Sequence, residues 1–236
     1  MIQFFAPDIV KTLTLPESDS GHCIRVLRMK EGDNIEVIDG TGLRYICRIV
    51  SAHQKHTAVE IIETIESPLS WKQEIIVAVA PTKHIDRMEW MVEKLTEIGV
   101  NRIIPILCSH SERKEIKIER LEKIAIAAMK QSLKSVLPEI SPMTPVMNVI
   151  NGFADSDRFI AYCDRSIPRK SLVKEYRPNT SSIIMIGPEG DFAPNEIKTA
   201  LDAGWTPVSL GDNRLRTETA AITACDTFHI IDQLNR

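Results

Sequence analysis

Between Ile183 and Ile222 the chain twice runs from an apolar strand into a polar, Gly-containing turn and on into a helix. The first passage is Ile183-Ile184-Met185-Ile186, then Gly187-Pro188-Glu189-Gly190, then a helix start at Pro194-Asn195-Glu196. The second is Pro207-Val208-Ser209-Leu210, then Gly211-Asp212-Asn213, then a helix that Thr217 can cap. Successive strand-to-helix turns of this kind are where an open α/β sheet places its ligand.

The two turns carry different chemistry. Gly187 to Gly190 has neither the GxGxxG spacing of a dinucleotide fingerprint nor the Lys-Ser/Thr of a P-loop, and Pro188 removes a backbone donor, so it is not a phosphate cradle. A tight Gly-Pro turn suits close approach to a flat neutral group such as a purine. It equally suits a plain connection with Gly at positive φ. The second turn leads into Arg214-Leu215-Arg216-Thr217-Glu218 and a helix rich in Ala. Arg, Thr and Glu at a helix start form an anion or enolate site, or else an ordinary surface pair with a capping Thr.

The rest of the chain sorts into two regions. Asn34–Ile38, Leu43–Val50 and Thr57–Ile61 are short alternating strands, with turn residues at Asp39-Gly40-Thr41-Gly42, so residues 1–68 read as a small β-barrel or sandwich. A short helix over Ser18–Leu27 precedes those strands. Glu66-Ser67-Pro68-Leu69-Ser70 is the linker. From residue 71 to 236, apolar runs at Ile75–Ala80, Ile103–Leu107 and Phe159–Cys163 join the two strands already named. Helical faces lie between them, such as Ile85, Met88, Met91, Leu95 and Ile98 before Gly99. Five strands interleaved with helices predict a mostly parallel sheet. Residues 138–157 read as a Pro-rich connector.

Charge and cysteines narrow the functional classes. The formal net charge is −3, so the chain does not announce a nucleic-acid binder globally, yet Arg113, Lys114, Lys117, Arg120, Lys123, Lys130 and Lys134 cluster within one segment. That cluster is a phosphate-contacting surface or a solvated helix face. Five cysteines without a CxxC pair, no leader-like start and no apolar run near the roughly 18 residues of a membrane span predict a cytoplasmic protein with no membrane segment. His53-Gln54-Lys55-His56 has no partner ligands at metal spacing, and Cys108-Ser109-His110 lacks a third orienting group, so neither predicts a metal or nucleophile site.

Taken together, Ile186-Gly187-Pro188-Glu189-Gly190-Asp191-Phe192 with Glu196, and Leu210-Gly211 through Leu215-Arg216-Thr217-Glu218-Thr219-Ala220, resemble the C-terminal signature of the SPOUT-superfamily uridine-N3 methyltransferases of the small ribosomal subunit. His22, Val26-Leu27-Arg28, Gly32-Asp33 and Asp39-Gly40 are similar to that family's N-terminal PUA-like barrel. Arg87-Met88, Trp90, Glu93-Lys94, Thr96-Glu97, Ser111-Glu112-Arg113 and Gln131-Ser132 are similar to its central pattern. Two departures stand out: Asp191 where a third Gly is frequent, and Lys130 where a Glu is frequent.

The resemblance implies an α/β domain with a trefoil knot, a homodimer, and S-adenosylmethionine held by the loops after Cys163, Ile186 and Leu210. The residues implied around that cofactor are Cys163, Ile186, Gly187, Pro188, Glu189, Gly190, Leu210, Gly211, Asn213, Leu215, Arg216 and Thr217. The substrate implied is one uridine of 16S rRNA. Uracil N3 carries a proton at neutral pH, so methylation there needs a proton acceptor and a cation beside the developing oxyanion. Arg216 is expected to supply the cation, and Glu218 or Glu189 to accept the proton. Arg25, Arg28, Lys83, Arg87, Arg113 and Lys130 are expected to contact RNA, and no metal is expected. The competing readings are a knotted ribose 2′-O-methyltransferase and a non-catalytic assembly factor.

Overall fold

The computed structural model describes residues 2–164 and 167–235, and the chain divides into two compact units. The first comprises the residues up to Ser70 together with Ile126–Leu137; the second comprises Trp71–Ala125 and the residues from Pro138 onward.

In the first unit, β1 (Gln3–Phe5), β2 (Asn34–Ile38), β3 (Leu43–Ser51) and β4 (Ala58–Glu66) form one sheet in chain order. β1 runs parallel to β2, and the other pairs are antiparallel. Alternation puts Val37, Tyr45, Cys47, Ile49 and Val59 into a core with Phe4, Ile9 and Leu15. The helix expected over Ser18–Leu27 is observed as α2 (Glu17–Gly21), which follows α1 (Ile9–Thr12) and continues into a single π turn over His22–Val26. β4 is longer than its alternating stretch suggests. The Gly40–Gly42 turn bonds outside its own sheet, with the Gly42 N–H donating to Ser135 O and the Leu137 N–H to Gly40 O, both at 2.9 Å.

The second unit is an eight-stranded sheet formed by β5 (Ile75–Val79), β6 (Arg102–Leu107), β7 (Glu139–Ile140), β8 (Thr144–Pro145), β9 (Asp157–Ala161), β10 (Lys170–Ser171), β11 (Ser182–Ile186) and β12 (Thr206–Ser209). The order is β10-β12-β9-β11-β5-β6-β7, with β8 also on β6, and every pairing is parallel. β5 and β11 are buried along their whole length, as expected for strands covered on both faces.

The helices are α3 (Ile85–Ile98), α4 (Ile118–Gln131), α5 (Val146–Ile150), α6 (Leu172–Glu175), α7 (Pro194–Asp202) and α8 (Thr217–Leu234). Ile76, Ala78 and Ala80 pack with α5 and α7 through Val149, Ile150, Ile197 and Ala200. The alternate residues of β5 face the other way, the side on which α8 packs against β5 and β11. α3 buries Met88, Met91, Val92 and Leu95, as its periodicity predicts, and stops at Gly99. The connector at 138–157 is more ordered than its Pro-rich sequence suggests, since it holds β7, β8 and α5. No helix among the described residues is long and apolar enough to cross a membrane.

Candidate functional site

β12, β9 and β11 are adjacent and parallel, so their C-terminal ends open at one edge of the sheet. The loops leaving those ends surround a cavity of about 770 Å3. Cys163 enters from the loop after β9; Ile186, Gly187, Pro188, Glu189 and Gly190 from β11 and its loop; Leu210, Gly211, Asn213, Leu215, Arg216 and Thr217 from the segment leading into α8. Every residue that the family resemblance implies around a cofactor therefore lines this one cavity.

Three hydrogen bonds tie the loops together. The Cys163 N–H donates to Asp191 Oδ2 at 2.8 Å, joining the β9 and β11 loops. The Thr217 hydroxyl donates to Gly187 O at 3.1 Å, joining the β11 loop to α8. The Lys83 N–H donates to Glu189 Oε1 at 3.0 Å, bringing in the loop after β5.

The left-handed position of the first turn is not a glycine. Asp191 holds φ +63°, a conformation that a short polar side chain tolerates better than most. Gly187 is needed for space, because a Cβ there would stand 3.0 Å from the Phe192 ring. Behind the turn, the buried Glu196 carboxylate accepts the N–H and hydroxyl of Ser109, at 2.8 and 2.9 Å, and the Ala193 N–H at 2.8 Å. Those three bonds anchor the start of α7.

Arg216 is exposed and lines the cavity, and its guanidinium makes no hydrogen bond or ion pair among the described residues. It is also the N-cap residue of α8. Thr217 is the first helical residue and bonds across to Gly187, so it does not cap the helix.

Glu218 is not brought to the cavity. It is buried, 3.5 Å from the Arg87 guanidinium, so the two are occupied with each other. Glu189 does line the cavity, as do Asp164, Asp191, Asp212 and Arg216.

The residues expected at RNA also separate. Arg25 and Arg28 are exposed, with Arg25 Nε donating to Gln54 Oε1 at 2.6 Å. Lys83 is exposed and paired with Glu112 at 2.9 Å, and that carboxylate raises the lysine pKa. Arg113 spends its guanidinium on the carbonyls of Thr82 and Lys83, at 3.2 and 2.8 Å. Lys130 is turned inward to Asp19 and lies over the Phe4 ring, 6.0 Å from its centroid.

Sequence reasoning missed Tyr162, Asp164 and Arg169 in the cavity wall. The Arg169 guanidinium bonds Tyr162 O and stands 5.8 Å from the Tyr162 ring centroid, while burial raises the Tyr162 phenol pKa. Nothing in the residue spacing marks Arg169, which becomes part of the wall only when the β9 loop folds back. Among the described residues no group of three His, Cys, Asp or Glu side chains could hold a metal ion.

Residues 69–229 match the family model of the RNA methyltransferase domain, and residues 15–62 match that of the RNA methyltransferase PUA domain. The ribosomal RNA small subunit methyltransferase E of Aquifex aeolicus is 29% identical over 89% of this chain and 91% of its own length. A probable rRNA-methyltransferase from Porphyromonas gingivalis superposes with a TM-score of 0.96 at 44% identity, covering 100% of both chains. A putative methyltransferase from Legionella pneumophila, solved with bound S-adenosylmethionine, superposes with a TM-score of 0.87 at 26% identity over 99% of this chain and 98% of its own. With both domain models matched and the cavity at the expected strand ends, the chain belongs to the RNA methyltransferase family that carries an N-terminal PUA domain.

Proposed function

We propose that the protein is an S-adenosylmethionine-dependent methyltransferase acting on N3 of a uridine in 16S rRNA of the small ribosomal subunit. The observation that carries this reading is the cavity itself, whose wall holds the Glu189 carboxylate and an Arg216 guanidinium with no partner among the described residues. The wall fits the cofactor. Ile186, Val208, Leu210 and Leu215 give it apolar surface for a purine, and the turns supply backbone donors and acceptors. The buried Tyr162 hydroxyl has no partner among the described residues and is a further polar group available in that wall. The three loops around the cavity are also where the knot of the resembling family would lie.

S-adenosylmethionine bound there supplies an electrophilic methyl group. The protein has to prepare the other reactant. Glu189, held by the Lys83 N–H, takes the proton from uracil N3 and passes it to solvent. Arg216 donates to O2 or O4, where negative charge develops as that proton leaves. Glu218 holds Arg87 in place from beneath the first turn of α8. Arg25 and Arg28 on the PUA unit contribute phosphate contacts.

The protein works as a homodimer in the cytoplasm, where its ribosomal substrate is assembled. α3 and α8 expose Trp90, Ile230 and Leu234, apolar side chains that a second copy would cover. Sedimentation of the purified protein reads that state directly.

The deciding experiment supplies the protein with labelled methyl donor and 30S particles or 16S rRNA lacking the modification. Nucleoside mass spectrometry should then find 3-methyluridine. A methyl group on ribose, or none transferred to either substrate, would overturn the reading.

A further inference from the structure

Lys83 stands at the meeting of two features of the second unit. Its backbone N–H holds Glu189 Oε1 at the wall of the main cavity. Its ammonium stands at a separate, open groove of about 480 Å3 lined by Lys83, Glu112, Arg113, Lys114 and Glu115. The groove is thus one hydrogen bond away from the carboxylate assigned to the reaction.

The groove's cations differ in what they have free. Arg113 builds the site: its Nε and a terminal nitrogen grip the carbonyls of Thr82 and Lys83 and so fix the loop that presents both. Lys114 is exposed and has no hydrogen bond or ion pair among the described residues. The Lys83 ammonium pairs with Glu112 among the described residues, the two side chains being 60% and 53% exposed. An ion pair this wet contributes little and exchanges readily for another anion. Glu115 keeps the rim from being uniformly basic, which disfavours a small polyanion and leaves room for one phosphate at a time.

We propose that this groove binds a backbone phosphate of the substrate RNA beside the methylated nucleotide, with Lys83 and Lys114 as its contacts. Glu112 occupies Lys83 until the RNA arrives. The inference rests on the reading of the main cavity as an RNA methylation site, and it assigns the part of the substrate that lies outside that cavity. A phosphate gripped there would fix the reach of the target base toward Glu189, because one short loop sets both.

The test is binding of the full-length protein to 16S rRNA, measured against salt concentration. Removing one lysine–phosphate pairing should reduce the slope of log affinity against log salt by about 0.7–0.9. Lys83→Ala keeps its backbone N–H and therefore its hold on Glu189, so that variant and Lys114→Ala should each flatten the slope by that amount and raise the KM for RNA. Glu112→Gln frees Lys83 and should tighten binding severalfold at low salt. Wild-type slopes in both lysine variants would overturn the proposal, as would weaker binding by Glu112→Gln. A wild-type protein that transfers no methyl group to RNA would instead overturn the cavity assignment, so the two failures are distinguishable.

Discussion

The hydroxyl of Thr217 donates to the carbonyl of Gly187 at 3.1 Å, stitching the first turn of α8 to the end of β11. Both residues are buried, so the carbonyl has little recourse to water. Thr217→Val keeps the shape and removes the donor. A buried acceptor left unsatisfied costs about 1–3 kcal/mol, and each kcal/mol lowers Tm by roughly 2–4 °C in a protein of this size. Thermal unfolding should register that drop, and calorimetric titration should show weaker S-adenosylmethionine binding as the two turns loosen. A variant with unchanged Tm and cofactor affinity would mean that the bond is incidental.

Arg216, like Arg214, lines the cavity with a guanidinium that has no partner among the described residues. Arg216→Ala should abolish uridine methylation while calorimetry finds S-adenosylmethionine binding nearly intact, because the side chain is assigned to the substrate's oxygen. Full turnover in this variant would remove Arg216 from the mechanism.

Glu189 and Glu218 can be told apart by the same assay. Glu189→Gln removes the proton acceptor and should lower kcat by roughly 10²–10⁴-fold. Glu218→Gln leaves the cavity wall alone and weakens the pairing of the buried Glu218 with a part-exposed Arg87, so its main effect should be a lower Tm. The reverse pattern, with turnover abolished only in Glu218→Gln, would return the proton to the residue under α8.

The cysteines give a reading of cofactor occupancy. Cys163 is exposed, while Cys23, Cys47, Cys108 and Cys225 are buried. Burial pushes the thiols of Cys23 and Cys47 up to about 11 and that of Cys108 up to about 12. The thiolate is the reactive form, so these three stay protonated and inert throughout pH 7–9. Iodoacetamide on the folded protein at pH 8 should modify Cys163 alone, as read by peptide mass spectrometry. S-adenosylmethionine should slow the reaction, because Cys163 lines the cavity.

Gly99 is fixed by both conformation and space. Its φ is +133°, a Cβ would lie 2.5 Å from the Trp71 ring, and its carbonyl is 2.6 Å from His229 Nε2. Gly99→Ala should cost at least the ~3 kcal/mol at the upper end of ordinary single substitutions. Chemical denaturation would measure it; a loss below about 1 kcal/mol would show that the α3–β6 connection yields easily.

Much of this architecture is legible in the residues alone. The fully apolar runs at 75–80 and 183–186 read as strands covered on both faces, and the Gly-rich turns that follow such strands mark the cavity. β1 is not legible, because three residues carry too little alternation and its partner lies some thirty positions away. Lys130 reads as a surface cation, and only the fold brings Asp19 beside it. Glu218 reads as reactive because it lies close to Arg216 in sequence. Thr217 lines the cavity, and one step further along the helix turns the side chain by about 100°, enough to send Glu218 toward Arg87 instead.

The position of β11 has a consequence for synthesis. It pairs with β5 through Ser182–Ile75 and with β9 through Ser182–Asp157, so it fills a slot between two strands that leave the ribosome before it. Until residue 186 has emerged, β5 and β9 have no shared neighbour and the centre of the sheet is a gap. The ligand-binding edge is therefore among the last parts of the domain to exist. A nascent chain halted before β11 should carry neither the closed sheet nor any affinity for the cofactor, which makes cofactor capture a marker that translation of this domain is essentially over.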